Sequence, residues 1–335
     1  MDYEPPFLET YKRLLEENAD DVDVSEKCES GEIPVVDLGR LSLDESEREE
    51  CMREMTEAAR TWGFFQVVNH GVSQETLQSL RCELIQVFRL SFANKSQHNF
   101  LNLPATTYRW GNPSATNFNQ ISWSEAFHMF LPDISMIQQH QTFRSTIEAF
   151  ASVVAPLAER LVQILAQKLN IKFSYFQENC SAHSSFLRLN RYPQCPFPSK
   201  VFGLLPHTDS SFLTIVHQDH IGGLQLMKDG YWVGIKPNPQ ALVVNIGDLF
   251  QALSNDSYIS VKHRVVAAEK EERFSMAYFY NPSKDAMIES PMTPPMYRKF
   301  TFQEYRKQTE KDVKETGDKV GLSRFLFVET YQEKF

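Results

Sequence analysis

The sequence predicts a protein that is mainly β with flanking helices, its β part folded as a sandwich, barrel or jelly roll. Three features predict it. Short apolar or alternating runs crowd residues 184–284, turn signals separate them, and helical periodicity dominates the chain before that stretch and returns after it.

Taken in order, residues Phe7–Leu15 carry a short helical pattern, and the acidic, weakly hydrophobic stretch 18–32 reads as a solvated linker. Ile33–Leu38 is strand-like. Apolar residues at helical spacing then mark 46–60, 73–92 and 144–169. The runs that follow are Phe186–Tyr192, Phe212–Val216, Gly223–Met227, Trp232–Ile235, Leu242–Ile246, Ser260–Val266 and Phe274–Tyr280. Between the third and fourth lies Lys228-Asp229-Gly230, and Asp-Gly readily takes the positive φ of a tight hairpin. A helical pattern returns near Phe302–Thr309. The chain thus divides into an N-terminal helix and linker (1–32), a helical and strand region (33–183), the β core (184–284) and a C-terminal helical extension (285–335).

Composition excludes several classes of function. Hydrophobic residues make up 42% and charged residues 23%, with 25 Phe and 12 Tyr, the balance of a globular enzyme with an aromatic interior. A net charge of -9 argues against nucleic acid and anionic membrane as partners, because both are gripped by a basic face. Five scattered cysteines with no CxxC pair (Cys28, Cys51, Cys82, Cys180, Cys195) read as reduced thiols rather than a disulfide framework or a zinc site. The N-terminus has no basic or apolar leader, and no later segment approaches the roughly 20 apolar residues of a bilayer span. The expected address is cytoplasmic, with the nucleus also open.

The chemistry is concentrated in Leu205-Pro206-His207-Thr208-Asp209. In an extended segment, residues two apart face one side and can grip one ion together. His263, 54 residues beyond Asp209, can return to the same barrel mouth as a third ligand. Two imidazoles and a carboxylate leave three octahedral positions open, which suits an Fe(II) oxygenase. Arg273 and Ser275, again two apart, suit the distal carboxylate of a dicarboxylic co-substrate: the guanidinium fork binds it bidentately and the hydroxyl adds a bond.

A second His-x-Asp, His217-Gln218-Asp219, shows how weak that motif is alone. The first copy is preferred because it leads into a strong strand signal, whereas Asp219 runs into the turn-like His220-Ile221-Gly222-Gly223. On residue patterns alone, the first triad and a surface His-Asp pair both stay open. His70, after the strand-like 62–68, reads as part of a strand-ending turn; His128 and His183 read as ordinary hydrogen-bonded or surface histidines, and Cys195 as packing between prolines.

From Ile33 to about Phe327 the chain closely resembles the plant 2-oxoglutarate-dependent dioxygenase family. The resemblance rests on Ile33-Pro34-Val35-Val36-Asp37-Leu38, on the run from Trp62 to Gly71, and on Asn190-Arg191-Tyr192-Pro193, Pro206-His207-Thr208-Asp209, Gly222-Gly223-Leu224-Gln225, Asn245-Ile246-Gly247-Asp248 and Val261-Lys262-His263-Arg264-Val265. It implies a double-stranded β-helix (jelly-roll) core. It also implies Fe(II) on His207, Asp209 and His263, and 2-oxoglutarate on Arg273 and Ser275 with Tyr192 and Asn190 of the Asn-x-Tyr-Pro motif beside it. Dioxygen is then the second co-substrate and ascorbate the reductant.

Within the family, the stretches Tyr108–Ala115 and Ser122–His128 resemble gibberellin 2-oxidases of the class acting on twenty-carbon precursors. That implies hydroxylation of carbon 2 of a carboxylated diterpenoid. Tyr108, Arg109, Trp110 and Trp123 supply aromatic walls and a cation for such a substrate, and equally suit scaffold packing with Arg109 in a structural ion pair. A dioxygenase acting on another gibberellin position, a flavonoid or an alkaloid is the near alternative. A non-catalytic jelly-roll binding protein is the distant one.

Overall fold

A computed structural model describes residues 2–17, 28–104, 106–113, 115–117 and 120–327. Its helices are α1 (Phe7–Glu17), α2 (Glu45–Thr61), α3 (Gln74–Phe88), α4 (Phe92–Lys95), α5 (Gln141–Gln167), α6 (Ser174–Asn179), α7 (Asp248–Leu253) and α8 (Phe302–Thr316). The strands are β1 (Cys28–Gly31), β2 (Val35–Asp37), β3 (Phe64–Val68), β4 (Tyr108–Trp110), β5 (Glu125–Phe130), β6 (Phe186–Tyr192) and β7 (Phe202–His207), followed by β8 (Leu213–Gln218), β9 (Leu224–Lys228), β10 (Tyr231–Ile235), β11 (Leu242–Ile246), β12 (His263–Val266) and β13 (Arg273–Tyr280).

The strands form a five-stranded sheet, β1-β10-β9-β12-β7, and an eight-stranded sheet, β2-β3-β11-β8-β13-β6-β5-β4. From β6 onward the chain passes back and forth between them: β6, β8, β11 and β13 sit in the larger sheet, and β7, β9, β10 and β12 in the smaller. That winding is the expected double-stranded β-helix. Strands from the N-terminal region widen the larger sheet at both edges, so it draws on 33–183 as well as 184–284.

The period of two in a strand divides each residue set between two destinations. In the larger sheet Leu187, Leu189, Leu213, Ile215, Phe274, Met276 and Tyr278 join α2, α3 and α5 in the main hydrophobic core. Their neighbours in sequence face the barrel interior. At one end of that interior Ile33, Phe64, Tyr192, Leu224, Leu226, Val233, Val243, Val261 and Val265 form a second apolar cluster, which closes the barrel. The other end stays open.

Helix α5 braces the outside. Phe143, Ile147, Phe150, Val154, Leu157, Leu161 and Leu165 recur at three- and four-residue spacing and are buried. The sequence reading saw no segment approaching a membrane span, and here it is corrected: α5 is long and apolar enough by length and composition. Its apolar stripe is packed against α3 and the larger sheet, which is what a core helix does.

Three strand assignments also change. Cys28–Gly31, read as the end of the acidic linker, is an edge strand parallel to β10; residues 18–27 of that stretch lie outside the described residues. The strand expected over 260–266 begins only at His263. Strands β4, β5 and β7 were not anticipated, because Glu125-Ala126-Phe127-His128 mixes polar and apolar residues on its buried side and β7 carries Gly203 and Pro206.

Gly63 joins α2 to β3 with φ of +61°, and a Cβ there would meet the Ile259 carbonyl oxygen at 2.2 Å. Both the left-handed backbone and the clash exclude a side chain. A Gly63→Ala variant is expected to lose about 2 kcal/mol or more of stability, seen as a lower denaturant midpoint with unchanged slope.

Candidate active site and metal centre

His207 closes β7 and His263 opens β12, and in the antiparallel pairing of those strands the two residues are direct partners. Asp209 follows in the turn after β7. His207 Nε2 lies 3.6 Å and His263 Nε2 3.8 Å from Asp209 Oδ1. All three donor atoms fall within 4.8 Å of one another, the cluster of this kind among the described residues.

The surroundings aim these atoms at a common point. Each histidine's Nδ1 engages a backbone carbonyl two residues back, His207 with Leu205 at 2.7 Å and His263 with Val261 at 3.1 Å, which leaves Nε2 as the free lone pair. Asp209 Oδ2 accepts hydrogen bonds from Thr214 Oγ1 at 2.7 Å and Asn245 Nδ2 at 2.8 Å, so Oδ1 is the oxygen left for an ion. Burial, reinforced by His207, pushes His263 down to about 4, and the ring is therefore neutral near pH 7, as a metal ligand must be. Burial works to raise the Asp209 carboxyl, but the two imidazoles and Asn245 outweigh it and hold the group well below the usual carboxylate range. A neutral His pair with one carboxylate fits Fe(II).

A cavity of about 610 Å³ opens beside the triad, and the strand register explains its walls. Arg273, Ser275, Ala277 and Phe279 alternate along β13; Tyr192, Asn190, Arg188 and Phe186 face them from β6; Ala126, His128 and Phe130 continue from β5. One inward face therefore runs from β13 to β5. Leu204, Val216, Leu224 and Val265 add an apolar floor, and Phe302, Arg306, Thr309 and Glu310 of α8 overhang the mouth.

Arg273 is buried at 2% exposure and is held for a ligand rather than satisfied by the protein. Its Nη2 donates to Gln218 Oε1 at 2.9 Å, its Nη1 to Ser275 Oγ at 3.3 Å, and its plane lies over the Tyr192 ring at 4.8 Å. Its Nε has no hydrogen-bond partner among the described residues, a costly state for a buried cation that an incoming carboxylate relieves. The residues present thus fit both iron and a dicarboxylate.

The decoy motif resolves by strand period. His217 and Asp219 face away from the cavity, and Asp219 accepts from the backbone N–H groups of Ile221 and Phe274. Between them Gln218 points inward and steadies Arg273, a part the sequence reading missed. Of the four proposed substrate residues, Arg109 lines the cavity. The other three make scaffold contacts, the second of the two roles open to them: Tyr108 donates to Glu125, Trp110 packs edge-on to Phe7 and Phe92, and Trp123 stacks on Phe7 at 4.6 Å.

His128 is also corrected, since it lines the cavity against Phe186 with ring centroids 4.0 Å apart. Cys195 is packing, as expected, and burial pushes its thiol up to about 12. A further network has no sequence signal: Lys319 Nζ meets Asp248 Oδ2 at 2.6 Å, the Thr208 carbonyl at 2.9 Å and Ser210 Oγ at 2.9 Å, and Tyr305 of α8 donates to the same carboxylate. It straps the C-terminal helix to the loop carrying Asp209.

Comparison with known proteins agrees with this geometry. Residues 183–282 match the 2OG-Fe(II) oxygenase superfamily model and residues 33–145 the model of the N-terminal region of non-haem dioxygenases in morphine synthesis. The chain is 51% identical to gibberellin 2-beta-dioxygenase 8 of Arabidopsis thaliana, over 96% of this chain and 98% of that one. It is 46% identical to gibberellin 2-beta-dioxygenase 6 of Oryza sativa subsp. japonica, over 88% and 85% of the two chains. Among solved structures it is similar to JOX2 in complex with 2OG, Fe and JA, with a TM-score of 0.74, 33% identity, and coverage of 86% of this chain and 87% of that one. This chain belongs to the 2OG-Fe(II) oxygenase superfamily.

Proposed function

We propose that the protein hydroxylates carbon 2 of gibberellins, twenty-carbon precursors foremost, and so inactivates them. The observation that carries this reading is a step in similarity: 51% and 46% identity to two gibberellin 2-beta-dioxygenases, against 33% to JOX2, which shares the barrel.

In this reading His207, Asp209 and His263 hold Fe(II), Arg273 and Ser275 hold the distal carboxylate of 2-oxoglutarate, and Tyr192 and Asn190 shape that pocket. Bound iron with 2-oxoglutarate supplies an oxidant strong enough for an unactivated C–H bond. The balance is one dioxygen consumed, one oxygen atom appearing in succinate and the other in the new hydroxyl, with carbon dioxide released. The chain's own tasks are orientation and exclusion of water: the apolar floor keeps the reacting carbon dry, and α8 covers the mouth. Five cysteines with no disulfide among the described residues support a reducing compartment, cytoplasm or nucleus, as its location.

The test is turnover of purified protein with Fe(II), 2-oxoglutarate and ascorbate against twenty- and nineteen-carbon gibberellins, with products identified by mass spectrometry. A 2-hydroxylated gibberellin with matching succinate is expected. Oxidation at another carbon, or of a flavonoid or alkaloid instead, overturns the assignment.

A further inference from the structure

Thr214 and Asn245 hold the Asp209 carboxylate, but the turn that carries Asp209 is held by other groups. On either side of it, the Thr208 carbonyl and the Ser210 hydroxyl each accept from Lys319 Nζ at 2.9 Å, and the same ammonium meets Asp248 Oδ2 at 2.6 Å. An ammonium has three donors, so all of Lys319's hydrogen bonding is spent here. Asp248 is as fully committed. Its Oδ2 also accepts from Thr208 Oγ1 at 3.0 Å and from the Tyr305 hydroxyl, and its backbone N–H donates to the Asp209 carbonyl at 2.8 Å. Thr208, Asp209 and Ser210 are therefore all fastened to one ion pair.

That pair joins distant parts of the chain, since Lys319 lies 111 residues beyond Thr208. Gly317 caps α8 with φ of +82°, a left-handed backbone that favours glycine, and the reversal brings Lys319 back to within 5.5 Å of the Tyr305 ring. The Lys319 and Asp248 side chains are only 11% and 5% exposed. Desolvation offsets much of the attraction in such a buried pair, so it acts on geometry more than on net stability. Phe302, Arg306 and Thr309 of the same helix overhang the cavity, and the pair thus ties the cover of the site to a metal ligand.

We infer that Lys319 and Asp248 are positioning residues for the metal: they set the 208–210 turn so that Asp209 Oδ1 converges with the Nε2 atoms of His207 and His263, and they make that convergence depend on the docked end of α8. The inference rests on the metal centre described above. Charge alone predicts the opposite effect. Lys319 is a cation bonded to both neighbours of a ligand, and as a charge it disfavours a dication, so its removal would tighten metal binding. Loss of positioning loosens it, because groups that orient a metal's ligands typically contribute about tenfold to a hundredfold to affinity. The sign of the change separates the two roles.

The test is titration of the folded, metal-free protein with Co(II), followed by calorimetry and by the visible absorption of the bound ion. Lys319→Met is expected to weaken Co(II) binding about tenfold or more and to alter the absorption bands. Tyr305→Phe removes one donor to Asp248 and leaves every charge in place; about threefold weaker binding is expected. Denaturant unfolding of each metal-free protein runs alongside, since a merely structural pair lowers the midpoint while the folded protein keeps its wild-type affinity. Wild-type or tighter Co(II) binding by Lys319→Met overturns the inference. Should that variant not fold, Tyr305→Phe decides: weakened binding supports the positioning role and wild-type affinity overturns it. Failure of the wild type itself to bind Co(II) overturns the metal centre, and the inference with it.

Discussion

A His207→Ala variant is expected to lose hydroxylation by about a thousandfold or more, equivalent to about 4 kcal/mol in the barrier, whereas His217→Ala retains iron and most of its activity. The two residues sit in His-x-Asp triplets ten residues apart, and the residue pattern alone prefers the first only modestly. The fold predicts opposite outcomes. His207 is the cross-strand partner of His263 and stands 3.6 Å from Asp209, with its Nδ1 committed to a backbone carbonyl. His217 faces away from the cavity, opposite Met276 of β13. Metal content after anaerobic loading separates the two cases: iron near zero in His207→Ala and near one per chain in His217→Ala is the expected pair. Iron lost from the second variant and kept in the first would mean the wrong triplet carries the centre.

Arg273→Lys is expected to raise the 2-oxoglutarate concentration for half-saturation by about tenfold to a hundredfold, with a smaller change in the rate at saturation. The argument is geometric. Gln218, Ser275 and the Tyr192 ring hold a planar fork in place, and the partnerless Nε completes the edge a carboxylate would meet. An ammonium on a flexible stem offers one charge but cannot present two parallel N–H bonds, and it leaves Gln218 without its donor. Gln218→Leu is the milder companion, since it removes the support and keeps the fork. Unchanged half-saturation in Arg273→Lys would remove this residue from the anchor.

The ligand chemistry was legible in the sequence because it depends on residue type and short-range spacing. His207 with Asp209, and Arg273 with Ser275, each lie two apart in extended chain, and a strand's period of two puts both members of a pair on one side wherever the strand ends up. The β core was legible for the same reason, from alternation and from turn chemistry. The substrate side was legible only in part. Arg109 and Trp110 are adjacent on β4 and take opposite faces, one lining the cavity and the other packing on Phe7 and Phe92, while Trp123 is held to the scaffold by the Phe7 ring stacked on it.

What the sequence determined by itself, then, is the set of groups able to bind iron and a dicarboxylate, and the strands that carry them. What tertiary structure decided is which copies of those groups meet. His207 and His263 are 56 residues apart and adjacent across a ladder. Arg109, Arg188 and Arg306 come from three distant segments and share one cavity. Their charges are individually ordinary on a linear chain, and only the register of β4, β5 and β6 and the docking of α8 bring them to one place. Side-chain facing and long-range register depend on contacts that are non-local, and no local pattern encodes those.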